Sequence, residues 1–147
     1  MSQYQLTNEL LKLSHSKTWD KAKLEWEVVD VEKSEDPEQC LCGHYPILEI
    51  CTISNLKTNE KARVGNCCVK KFNNKSEKIF RAIDRVRKDE TKSVNSETLD
   101  LAFNKKIINL KERNFYIDIL RRRKLSSKQL DWKIAINRKL KRLTNKK

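Results

Sequence analysis

The chain has 147 residues, 33 Lys and Arg against 20 Asp and Glu, and a formal net charge of +13. That length suits one domain, or a small domain with an appended arm, and 37% hydrophobic against 36% charged residues allows only a modest core that needs further support. No apolar run reaches the ~20 residues of a membrane span, MSQYQLTNELLKLSHSKTW lacks the apolar stretch of a signal peptide, and two Gly leave no glycine-rich phosphate loop; a cytoplasmic protein without membrane contact is expected.

In chain order, Leu6, Leu10, Leu11 and Leu13 recur at the spacing of a short amphipathic helix. Trp19, Ala22 and Trp26 can share a helical face, while Trp26, Val28 and Asp30 alternate, so a helical turn should run into a strand over about 25–33. The acidic stretch 32–39, with Pro37, reads as a surface loop. Ile50, Thr52 and Ser54 alternate with Cys51 and Ile53 as in a strand, 55–60 is a turn, and 61–64 is the return strand. Gly65-Asn66 then leads into a short helix carrying Cys68 and Phe72.

From Asn74 the pattern is helical. Asn74 and Glu77 have the spacing of a capping box ahead of Ile79, Phe80, Ile83 and Val86. The polar stretch KDETKSVNSET is a connector. Leu99, Phe103, Ile107, Leu110, Phe115 and Ile119 predict a helix over about 97–124. Ser126 and Gln129 form a second capping box opening a last helix over 126–143, so the two helices make a hairpin across Leu125-Ser126. The fold class expected is α+β. Residues 1–73 form an N-terminal helix and strand with a cysteine-bearing β-hairpin module, and 74–147 a helical arm.

All five Cys lie between Cys40 and Cys68. In a reducing cytosol structural disulfides are rare, so a zinc site is the better explanation. Cys40-Leu41-Cys42-Gly43 is a knuckle-like pair, with Gly43 where backbone amides must turn in towards sulfur. Adjacent Cys67 and Cys68 point in different directions, and Cys51 lies on the first hairpin strand beside the return strand that leads to them. The expected ligands are Cys40, Cys42, Cys51 and Cys68, with His44 in reserve for Cys51 and Cys67 the alternative within its pair. A closed four-cysteine site is structural, because no coordination position is left for water or substrate, and it contributes directly to folding.

The string CLCGHYPILEICTISNLKTNEKARVGNCCVKKF resembles a zinc-binding module that recurs in small uncharacterised proteins of bacteria and bacteriophages. The shared pattern, C-x-C-G, an apolar strand ending in Asn, then V-G-x-x-C and Phe, falls on Cys40, Cys42, Gly43, Asn55, Val64, Gly65, Cys68 and Phe72. The Trp19, Ala22 and Trp26 segment also resembles what precedes the module. The resemblance implies a zinc-stabilised fold, Cys68 rather than Cys67 as ligand, and a phage or mobile-element origin; it implies no activity.

The charge has a location. Residues 1–103 carry 17 basic and 17 acidic side chains, whereas 104–147 carry 16 basic ones and only Glu112, Asp118 and Asp131 as acids. Arg121-Arg122-Arg123-Lys124 ends one predicted helix, and Arg138, Lys139, Lys141 and Arg142 end the next. Cations in a last turn complement the helix dipole, but four in a row exceed that need, and such an arm suits a phosphate backbone. Tyr116 and Trp132 could stack on bases, although aromatics in an apolar helical pattern more often belong to a core. No catalytic grouping of acids, His or nucleophile stands out. The sequence therefore points to a non-catalytic zinc protein that binds DNA or RNA through those eight cations. Its rival is an interaction factor, an inhibitor or adaptor of a host nucleic-acid machine, docking on an acidic host protein or a ribonucleoprotein.

Overall fold

The computed structural model describes residues 2–70 and 72–144. It is an α+β fold with one antiparallel sheet of order β1-β2-β3 and helices before and after it. The chain divides into two compact units, Met1–Glu77 and Lys78–Lys147, so the boundary falls a few residues beyond 73/74.

In the first unit, α1 (Ser2–Leu13) buries Leu6 and Leu10, and a short α2 (Trp19–Ala22) buries Ala22. The strands are β1 (Trp26–Glu38), β2 (Ile47–Asn55) and β3 (Lys61–Gly65). Cross-strand rows of apolar residues hold the sheet. Val28, Ile53 and Ala62 make one, and Val31, Cys51 and Val64 the next, all of them buried. Alternation from Trp26 and Val28 should bring Asp30 to the same face. An irregularity between Val28 and Asp30 shifts the register, so that Val31 takes that place.

The acidic stretch 32–38 is strand rather than loop. As an edge strand β1 tolerates Pro37 and charge, and a cation from β3 compensates the acids: Arg63 lies 2.8 Å from Glu32 and 2.9 Å from Glu38. Those contacts, Glu32 foremost, raise the pKa of Arg63.

Buried polar bonds fasten α1 to the sheet. Ser14 Oγ donates to Leu10 O at 2.6 Å and accepts from Trp26 Nε1 at 2.8 Å. The Glu25 carboxylate accepts from the amides of His15 and Ser16 at 2.8 and 2.9 Å and from Asn55 Nδ2 at 3.0 Å. Burial pushes that carboxyl upward, but the bonds from Ser16, Asn55 and His15 outweigh it and hold its pKa at about 2. Asn55 Oδ1 in turn accepts from Lys57 and Thr58 amides at 2.8 and 3.0 Å, closing the hairpin turn.

After β3 come α3 (Asn66–Val69) and α4 (Lys75–Lys88). In the second unit, the expected single helix over 97–124 is two, α5 (Ser96–Asn104) and α6 (Leu110–Ile119). Lys106 has a φ of 63°, which ends the first, and Asn109 with Glu112 forms a capping box that starts the second. The last helix, α7 (Ser127–Leu140), opens on the Ser126 and Gln129 capping box as expected and ends in a 3₁₀ turn over Lys141–Leu143.

The polar connector is pinned rather than loose. The Tyr116 hydroxyl accepts from the Val94 amide at 3.1 Å and donates to Asn137 Oδ1 at 2.7 Å. Asn137 Nδ2 donates to the carbonyls of Glu90 and Lys92 at 2.7 and 2.9 Å. Neither Tyr116 nor Asn137 is exposed at all.

Candidate metal centre and basic surface

Three of the four predicted ligands converge. The sulfurs of Cys40, Cys42 and Cys68 all lie within 4.8 Å of one another, and all three residues are buried. Cys40 and Cys68 are 3.7 Å apart and Cys68 and Cys42 3.3 Å. Tetrahedral zinc with bonds of about 2.3 Å to sulfur sets its ligands about 3.8 Å apart, so the trio has the size of a thiolate metal site. No disulfide is formed.

Local backbone builds the trio. Gly43, at a φ of 93°, turns the chain so that its amide donates to Cys40 O at 2.8 Å. Amides then point at sulfur, Cys42 N at 3.5 Å and Gly65 N at 3.2 Å to Cys40 Sγ, and His44 N at 3.4 Å to Cys42 Sγ. Gly65 also allows close approach, since a Cβ there would lie 3.1 Å from Ile47 Cγ2. Cys68 is delivered by α3, whose Asn66 is buried and fully engaged. Its Nδ2 donates to Glu77 at 2.8 Å and to Glu49 at 3.2 Å, and its Oδ1 accepts from Ser76 at 2.7 Å. Phe72 makes an edge-on contact with Trp19 at 5.5 Å between ring centres.

The hydrogen bond with Cys68, reinforced by the Gly65 and Cys42 amides against the upward pull of burial, holds the Cys40 thiol well below the usual range. A bound cation favours loss of the thiol protons.

Cys51 stands outside the trio. On β2 it lies in the buried row with Val31 and Val64, and burial pushes its thiol up to about 12. That is the environment of a core thiol, which packs as a small apolar side chain. Cys67 is exposed, on the side of α3 away from the core. His44 is exposed as well.

The eight predicted cations separate into two groups. Arg121, Arg122, Arg123 and Lys124 are all exposed in the turn between α6 and α7, and among the described residues only Arg122 of the four has an acid in reach, Asp118 at 3.4 Å. At the other end of α7, roughly 20 Å away along the 1.5 Å rise per residue, three of the four are paired. Arg138 and Lys141 reach Glu90 at 3.1 and 2.7 Å, and Lys139 reaches Glu112 at 2.6 Å. The pairing, Arg138 first and Lys141 second, holds the Glu90 carboxyl at about 2. Arg142 is exposed. Tyr116 is unavailable for stacking because it is wholly buried, and Trp132 stacks on Phe115 with ring centres 3.9 Å apart at 28°. Among the described residues no helix is long and apolar enough to cross a membrane.

The architecture and site thus define an α+β protein with a buried three-cysteine cluster able to hold a metal ion, and a separate helical unit with a basic turn. Comparison with protein families, curated proteins and solved structures gives no match to the chain.

Proposed function

We propose that the chain is a non-catalytic zinc-containing nucleic-acid-binding protein that contacts the phosphate backbone through the turn between α6 and α7. Cys40, Cys42 and Cys68 hold the zinc, and His44, outside the trio like Cys51 but next to the knuckle with its own amide on Cys42 Sγ, supplies the fourth ligand by turning its ring inward. The metal supplies folding free energy to a unit with a modest core. The observation that carries the nucleic-acid reading is the run Arg121 to Lys124, four exposed cations in one turn with Asp118 as the acid beside them.

Titration against duplex DNA, single-stranded DNA and RNA at several salt concentrations tests it. Binding should weaken steeply with salt, and replacing Arg121, Arg123 and Lys124 by Gln should reduce the salt slope by about three, near one per phosphate contact. Absence of binding to all of these at low salt would refute it. Metal analysis on the same protein should give about one zinc per chain. Replacement of Cys42 by Ser should lose it, and Cys51→Ser should retain it.

A further inference from the structure

Resting on the nucleic-acid reading, we propose that the face of the α6–α7 pair bearing Phe115 and Trp132 is a stacking platform for single-stranded nucleic acid. Residues at i, i+4 and i+7 share one side of a helix, so Lys111, Phe115 and Asp118 line one side of α6, with Arg122 following at the end. By the same spacing Lys128, Trp132, Ala135 and Lys139 line one side of α7. The stripes meet where Phe115 stacks on Trp132. Core packing does not require this pair. The buried positions are Glu112, Tyr116 and Ile119 on α6 and Lys133, Ile136, Asn137 and Leu140 on α7, a different side of each helix, and both stacked rings remain half-buried.

The surroundings select the occupant. Lys111 and Lys128 are exposed without an acidic partner among the described residues, Asp118 is paired with Arg122, and the basic turn continues from the same end. An aromatic ridge flanked by unpaired cations is complementary to a polyanion that carries free planar rings. Bases of a single strand can stack there while their phosphates meet Lys111 and Lys128. Bases of a duplex are already stacked on one another and offer only phosphates to such a face. The half-exposed pair therefore adds a preference that the basic turn alone does not have.

The test compares oligothymidylate and a duplex of equal length at one salt concentration, with tryptophan emission as a second signal. The single strand should bind more tightly and quench emission. Trp132→Leu should weaken single-strand binding about tenfold, leave duplex binding within twofold, and leave the salt slope unchanged. Trp132→Phe should keep most of the affinity and lose the quenching. Lys128→Gln, at an exposed position that folding does not need, should reduce the salt slope instead. Equal affinity for the two ligands, or an unchanged single-strand affinity in Trp132→Leu, overturns the platform and leaves backbone binding standing. If the protein ignores every nucleic acid at low salt, backbone binding falls too, and a cross-link through this face to an acidic protein would identify the rival occupant.

Discussion

Removing the Asn137 side chain should take away about half of the stability of the helical unit. Its amide nitrogen serves two backbone carbonyls, Glu90 O and Lys92 O, and its oxygen serves the Tyr116 hydroxyl, all within 2.9 Å. Asn137 has no exposed surface, so water cannot take over these bonds when the side chain is cut back to Ala. Each buried group left without a partner costs about 1–3 kcal/mol. Because carbonyls retain some capacity to find other donors, the sum should be roughly 3–5 kcal/mol. A unit of this size has a total stability of roughly 4–10 kcal/mol. Tyr116→Phe removes the hydroxyl and strands the Val94 amide, and should cost about 1–3 kcal/mol. The double variant should cost less than the two separately, because both act on one bond. Urea unfolding followed by far-UV circular dichroism gives the energies, and hydrogen exchange at Val94 gives the local reading. A loss below about 1 kcal/mol in Asn137→Ala, with Val94 as protected as before, would show that the connector is not held by this network.

Two further outcomes follow from particular carboxylates. Glu25 has its folded pKa lowered to about 2 from 4.5, so the stability it gives is complete above about pH 4.5 and drains away as pH falls towards 2; thermal melts across that window should show the loss, and Glu25→Gln should flatten the dependence. Glu90→Gln releases Arg138 and Lys141, so it should raise nucleic-acid affinity at low salt and steepen the salt slope by up to about two, and an unchanged slope would place those two cations away from the bound phosphates.

What could be read from the sequence is what neighbouring residues decide among themselves. Ser126 with Gln129 specifies the start of α7, and the alternation around Cys51 specifies β2, because a cap and a pleat are short-range geometries. The same code stood at Asn109 and Glu112 and would have divided the helix predicted over 97–124, but the apolar period running through Ile107 and Leu110 concealed it. Other features are set by partners far along the chain. The acids of 32–38 belong in a strand only once Arg63, two strands away, is placed against Glu32 and Glu38. Cys51 is set apart from Cys40, Cys42 and Cys68 by its place in the buried row between Val31 and Val64, which spacing along the chain does not reveal. The net charge of +13 has the same character. A count weighs Arg138 and Arg121 alike, yet one is paired with Glu90, 48 residues earlier, while the other faces solvent in a turn beside two further cations that have no acidic partner among the described residues. Long-range attraction depends on the sum, whereas close contact with a phosphate needs a cation that does not first have to leave a carboxylate. The basic turn should therefore dominate the bound complex although the end of α7 carries as many positive residues, and this difference makes Glu90 a side chain through which affinity can be raised without adding a cation.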